Sequence, residues 1–233
     1  MSEIREFILL KNMEQEVQTN QDHMHYDENY FRWQNKNANF AGWAAEGIFS
    51  PYITKNNEIL DFGCGGGNLL KRIECKKRIG VEINEIALIV AKDNCDEVYQ
   101  LLDEVPNDYV DVIISNNALE HTHNPLDELK KMYNKLRKSG KLIMVVPCEN
   151  IFWKYKPNDI NQHLFSWSPM SIGNLVSLAG FHVISSKSYI HKWPPLAPSI
   201  AKISGRFLFN ILCRIYGQIN RKWYQIKIVA EKR

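Results

Sequence analysis

Ile59-Leu60-Asp61-Phe62-Gly63-Cys64-Gly65-Gly66-Gly67-Asn68-Leu69-Leu70 is the stretch on which the fold turns. It opens as an apolar strand and closes in a pattern of helical spacing, with four glycines between the two. Glycine has no Cβ, so a turn this rich in it lets a ligand approach the backbone closely. At the carboxyl end of a parallel strand, such a turn is where open α/β sheets bind nucleotide-like cofactors.

The dinucleotide fingerprint G-x-G-x-x-G needs glycine at its first, third and sixth places. Gly63 and Gly65 supply two of these, but Asn68 stands at the sixth. The pattern present is Asp-x-Gly-x-Gly-x-Gly, at Asp61, Gly63, Gly65 and Gly67. A second short apolar strand follows, Ile79-Gly80-Val81-Glu82-Ile83-Asn84, and the carboxylate of Glu82 at its end can accept hydrogen bonds from both hydroxyls of a ribose. Together these residues resemble motif I and its acidic partner in the class I S-adenosylmethionine (SAM) dependent methyltransferases. The resemblance implies SAM as cofactor, with contacts from Asp61, Gly63, Cys64, Gly65, Glu82, Ile83 and Asn116. The backbone of Gly63 and Gly65 would lie near the methionyl part, and Glu82 on the ribose. The third strand departs from many relatives, because Val98-Tyr99-Gln100-Leu101-Leu102-Asp103 lacks the Gly-Asp pair often found beside adenine. The adenine contact therefore stays unassigned.

From Glu58 onward short apolar runs alternate with helical patterns, which is the signature of a parallel sheet with crossovers. Strands are expected near 58–62, 79–83, 98–101, 111–115, 141–147, 181–187 and 224–231, and helices near 67–77, 84–94, 125–138 and 170–179. Gly140, after Arg137-Lys138-Ser139, reads as the stop of the third of these helices. The fold class expected is α/β: a Rossmann-like, seven-stranded, mostly parallel sheet with flanking helices and an antiparallel last strand. The resemblance covers about residues 55–187. Residues 1–50 read as an N-terminal helical arm, with helices near 3–17 and 35–49, and residues 51–233 as the SAM-binding domain. The aromatics Tyr26, Tyr30, Phe31, Trp33, Phe40 and Trp43 either form a lid or pack the arm onto the core. A helical insertion is expected at about 192–222, where Ile200, Ile203, Phe207, Leu208, Ile211, Ile215 and Ile219 recur at helical spacing behind a proline-stiffened connector. That helix could pack on the core, join two subunits or lie on a membrane.

The fourth strand opens into Ala118-Leu119-Glu120-His121-Thr122-His123-Asn124-Pro125. This resembles the Leu-Glu-His segment of the methyltransferase subgroup acting on small metabolites, quinone precursors and sugars. Its loop leaves the same sheet edge as the glycine turn. Glu120 and His121 are accordingly candidate catalytic residues. His163, ahead of a helix in the loop after strand five, is a second candidate base. An imidazole suits the role because it titrates near working pH, although either histidine could instead be a hydrogen-bonded structural group. Quinone-precursor O-methyltransferases bind a divalent cation at Glu-x-x-Glu-His. Asn117 occupies the first ligand position here and offers only a neutral oxygen, so no metal is expected.

Five cysteines, odd in number and without a C-x-x-C pair, speak against a disulfide framework or a zinc site and suit a reducing cytoplasm. No signal peptide or membrane span is legible in the sequence. Charge is unevenly spread: residues 1–159 hold 25 acidic and 19 basic side chains, and residues 160–233 hold 1 and 10. Such a bias suggests an anionic partner, whether acceptor, membrane surface or nucleic acid, unless it is only a solvated face. The leading expectation is O-methylation of a small or glycan-type acceptor, such as an anionic sugar-linked one in polysaccharide biosynthesis. It places the protein in the cytoplasm, with peripheral contact at the inner face of the membrane and oligomer contacts through the 200–219 helix as further options. The alternatives are a non-catalytic SAM-fold binding module, and a nucleic-acid methyltransferase using the basic last third. Against the latter, Ser115-Asn116-Asn117-Ala118 stands where amino-group nucleic-acid enzymes carry Asn/Asp-Pro-Pro-Tyr/Phe.

Overall fold

A computed structural model of the 233-residue chain describes residues 37–157, 159–220 and 224–233. The expected helix near 3–17 and the aromatics Tyr26 to Trp33 lie outside the described residues. Within these, the strands are β1 (Glu58–Phe62), β2 (Lys77–Val81), β3 (Glu97–Tyr99), β4 (Val110–Asn116), β5 (Leu136–Cys148), β6 (His182–Tyr189) and β7 (Tyr224–Glu231). They form one sheet in the order β3-β2-β1-β4-β5-β7-β6. All neighbours pair in parallel except β7, which is antiparallel to both β5 and β6. The expected sheet is therefore present, with its one reversed strand inserted between β5 and β6.

Successive residues of a strand face opposite sides, so a sheet covered on both faces reads as an unbroken apolar run. That is why Val112-Ile113-Ile114 and Ile143-Met144-Val145 are buried throughout. Leu60, Ile113 and Met144 point into one core with Leu129, Met132, Ile172 and Val176. Their neighbours Ile59, Val112, Ile114, Ile143 and Val145 point into the other with Phe49, Leu70, Ile73 and Ala91. The first core is roofed by α3 (Pro125–Lys135) and α4 (Pro169–Leu178), and the second draws on α1 (Ala38–Phe49) and α2 (Glu85–Ala91). Asn84 caps α2 by accepting from the backbone N–H groups of Ile86 and Ala87.

Two local expectations need correction. No α-helix spans 67–77; only a 3₁₀ turn, Leu70–Arg72, stands there. Gly67 sits at φ +74, outside the helical region, and Ile73 is already extended (φ -85, ψ 124), so the turn is stopped on both sides. Leu69, Leu70 and Ile73 recur because they fill the core beneath that turn. Likewise α3 ends at Lys135 rather than running to the glycine: Leu136 is already extended, and Gly140 lies inside β5 beside a register shift against β4.

The insertion is α5 (Ala197–Ile219), broken by non-helical geometry at Gly205 (φ 68, ψ 173). Its buried residues Ala201, Phe209 and Cys213 meet Ala44 of α1, with Phe40 and Trp43 packed alongside. Phe40 meets the rings of Trp193 and Phe209 edge-on, and Arg206 lies 5.0 Å from the Trp43 ring while pairing with Glu46 at 2.7 Å. These two aromatics thus pack the arm against the insertion.

Candidate active site

The strand order reverses between β1 and β4, and the crevice beyond their carboxyl ends is where such sheets bind ligands. The glycine turn leaves β1 there. Gly63 sits at φ +75, a region that L side chains rarely adopt, and a Cβ on it would stand 2.4 Å from the Cβ of Ala118. The turn after β1 is thereby pressed against the segment after β4. Backbone N–H groups of Gly63 and Cys64 both donate to the Val81 carbonyl, at 2.9 and 3.1 Å, which fixes the turn to the end of β2.

Glu82 follows β2 and closes the cradle. Its Oε2 accepts from the Gly65 N–H at 2.7 Å and its Oε1 from the Asn84 N–H at 2.9 Å. Each carboxylate oxygen keeps acceptor capacity for one further donor, as two ribose hydroxyls would require. Burial raises the pKa of Glu82, while the backbone donors act in the opposite direction. Asp61, nearly sealed at the end of β1, has an Oδ1 without a hydrogen-bond partner among the described residues. Burial, and then the charge of Glu82, push its pKa well up. A buried acceptor left unpaired is costly, and a cationic or N–H-bearing ligand would relieve it. A glycine cradle, a bridging carboxylate and an orphaned buried oxygen fit SAM, whose nucleoside carries two ribose hydroxyls and whose methionyl part is cationic. Cys64 is buried; contact with the Cys95 thiol, then burial, raise its pKa, so it packs as a neutral thiol. Ile83 and Asn116 are half-buried, at the ends of β2 and β4.

The structure also brings the three candidate catalytic residues together. Glu120 and His121 lie in a 3₁₀ turn, Leu119–His121, just after β4. The carbonyl of Glu120 accepts from the N–H groups of Leu164 and Phe165, at 3.0 and 3.2 Å, and so pins the loop after β5 onto this turn. His163 is thereby set 5.0 Å from His121, ring centre to ring centre, at an interplanar angle of 72°. Its Nδ1 lies 2.7 Å from Glu149 Oε1, and its Nε2 lies 4.0 Å from Glu120 Oε1. Glu149, directly after β5, is a site residue that the sequence reading missed; the available signal was a carboxylate at the carboxyl end of a core strand. Glu120 is fully buried, with neither carboxylate oxygen hydrogen-bonded among the described residues. Burial, aided by the charge of Glu149, pushes its pKa up to about 8, so it is mainly a neutral acid near neutral pH.

Ligand atoms of Glu120, His121 and His163 lie within 4.8 Å of one another, close enough to surround one cation. Asn117 takes no part in that group. It adopts φ +54, and its Oδ1 accepts from Nε2 of Gln225 on β7 at 3.0 Å. Gln225 is the second residue missed; it is a buried polar side chain in a strand otherwise rich in Ile, Val and Ala.

Comparison with known proteins agrees with this geometry. Residues 48–186 match the family described as "Methyltransferase domain". No curated protein matches the chain. Among solved structures, it is similar to a SAM-dependent methyltransferase from Archaeoglobus fulgidus, at 20% identity and a TM-score of 0.60, covering 88% of this chain and 100% of that one. A SAM-dependent methyltransferase of Thermotoga maritima is similar at 17% identity and 0.61, with coverages of 88% and 95%. One from Mesorhizobium loti aligns at 17% and 0.54, with coverages of 82% and 97%. At these identities the structures establish the fold, and the family match carries the assignment. The chain belongs to the methyltransferase-domain family and is a SAM-dependent methyltransferase.

Proposed function

We propose that the protein methylates a hydroxyl of a small or glycan-type acceptor, with His163 as the general base. The observation that carries this reading is the line Glu149, His163, Glu120, held together by the loop after β5 where it meets the turn after β4. When bound, the SAM sulfonium supplies a methyl group already activated for in-line displacement, so the protein's task is to orient the acceptor and take its proton. A Glu149 carboxylate that accepts the Nδ1 proton leaves the Nε2 lone pair of His163 able to take the acceptor proton. The acceptor oxygen then forms the new bond to carbon, and the electrons of the broken carbon–sulfur bond stay on sulfur. His121, in ring contact with His163, and the neutral acid Glu120 line the same place and exclude water from it. No metal is required by this mechanism, and a cation among these three groups would cost Glu120 its proton.

The excess of basic residues after position 160 supports an anionic acceptor, such as a sugar carrying a phosphate, as surface-polysaccharide synthesis uses. Residues 51–233 are proposed to form the catalytic domain, with residues 1–50 as its N-terminal arm.

A panel of sugar nucleotides and small hydroxylated metabolites, assayed for labelled methyl incorporation and S-adenosylhomocysteine release, tests the reading. On an acceptor so found, His163→Ala is expected to lower turnover by about 10²–10⁴ with SAM affinity retained. Glu149→Gln should lower turnover less and shift the pH profile, because it alters only the carboxylate paired with Nδ1 of the base. Full activity in His163→Ala would remove the base from this account.

A further inference from the structure

We infer that the carboxyl edge of the sheet docks on an anionic lipid surface, through the outward face of α5 and the loop after β5, so that the acceptor is one carried on a lipid. The acceptor part rests on the proposed methyl transfer; the docking part does not require turnover.

The helix α5 is apolar on two faces. Ala201, Phe209, Cys213 and Gly217 are buried against the protein, whereas Phe207, Leu208, Ile211, Ile215 and Ile219 are exposed. At 3.6 residues per turn those five fall within roughly 120° of the helix circumference. Phe207 is 82% and Ile219 77% exposed, so among the described residues nothing covers this stripe. A second apolar segment stands in the loop after β5, where Ile151 and Tyr155 are each 90% exposed and Phe152 and Trp153 lie between them. Lys154 and Lys156 alternate with these aromatics. Soluble surfaces rarely expose apolar area on this scale without a partner for it.

Both segments belong to one edge. β5 ends at Cys148 and β6 at Tyr189, and β7 begins at Tyr224, which pairs with Cys148. The loop after β5 and both ends of the α5 excursion therefore lie at the sheet edge that carries the glycine turn and the two histidines.

Charge decides the occupant. Lys202 and Arg214 are exposed on α5, Lys154 and Lys156 flank the loop aromatics against one exposed carboxylate of that loop, Asp159, and no further carboxylate side chain occurs before Glu231. An anionic bilayer attracts such a surface, and aromatic and lysine side chains suit its interface. A second copy would bring the same positive face opposite this one, against like charge. No helix among the described residues is long and apolar enough to cross a membrane, so the contact is one of an in-plane helix.

Sedimentation of the full chain with vesicles tests this, comparing phosphatidylcholine alone with an equal mixture of phosphatidylcholine and phosphatidylglycerol. The chain is expected to pellet with the mixture and to be released as salt rises. The paired variants Phe207→Ser with Ile215→Ser, and Phe152→Ser with Trp153→Ser, should each weaken partitioning roughly tenfold or more, and Lys202→Glu with Arg214→Glu should do the same. All three pairs alter exposed residues, so melting temperature and SAM affinity should be retained and serve as the folding control. No pelleting with the anionic mixture, pelleting indifferent to all three pairs, or a dimer in light scattering that the apolar pairs dissociate, would each overturn the docking. Failure of the methyl-transfer reading looks different: vesicle binding intact, and no labelled product.

Discussion

Glu120 is a carboxylic acid sealed inside the protein beside two imidazoles, and its state depends on pH in a defined direction. Its pKa in the folded chain is about 8, above the ordinary 4.5 of an exposed glutamate. The folded state therefore holds the proton more tightly than the unfolded one. The stability this contributes is complete below the unfolded value and is lost as pH rises through the folded one. Glu120→Gln, neutral at every pH, should lack that decline. Unfolding free energies measured from about pH 5 to about pH 8.5 should fall more steeply for the parent chain than for the variant, by an amount on the order of a few kcal/mol across the window. Parallel curves would show that Glu120 is ionised, or hydrogen-bonded, in the folded state. The candidate residues Glu120, His121 and His163 were legible because they stand in segments with a family pattern or directly before a helix. Glu149 was not, since a single acid after a strand has no motif, and its partner His163 lies fourteen residues away across a loop.

Among elements, strands were more legible than helices. Each expected strand is present, because a run buried on both faces leaves an unbroken apolar mark in the sequence. The helix expected at 67–77 failed because apolar spacing at Leu69, Leu70 and Ile73 suits a 3₁₀ turn as well as an α-helix, and the backbone leaves helical geometry at Gly67 and again at Ile73. The kink in α5 was hidden for the opposite reason: its periodicity runs through Gly205, whose φ of 68 interrupts the helix without altering the pattern. The glycine turn is the element on which the site depends. Gly63→Ala would combine positive φ with a contact of 2.4 Å against Ala118, whose Cβ is fixed to the backbone and cannot swing away. A loss of about 2–4 kcal/mol of stability is expected from strain and overpacking, together with loss of SAM binding as the turn moves. Thermal melts and SAM titration check both; a variant matching the parent in each would show that the turn has slack to spare.

At the scale of the molecule, the reversal of strand order between β1 and β4 gathers at one edge residues that are far apart in sequence: Asp61, Glu82, His121 and His163. The sheet and its cofactor edge could be read from one turn and one carboxylate. The way β7 is tied to the segment after β4, through Gln225 and Asn117, could not, because that hydrogen bond joins positions 108 residues apart. Charge left open whether the basic last third meets an anion or is a solvated face; the proposed docking face rests on the exposures along α5. The central claim is that this edge holds SAM, with Glu82 as its ribose anchor. Calorimetric titration of SAM into the parent chain and into Glu82→Ala tests it most directly. The parent should bind, and the variant should bind about tenfold or more weakly, as expected when charge-assisted hydrogen bonds worth roughly 1.5–3 kcal/mol are removed. Equal affinity in the two proteins, or binding of NAD in place of SAM, would contradict it.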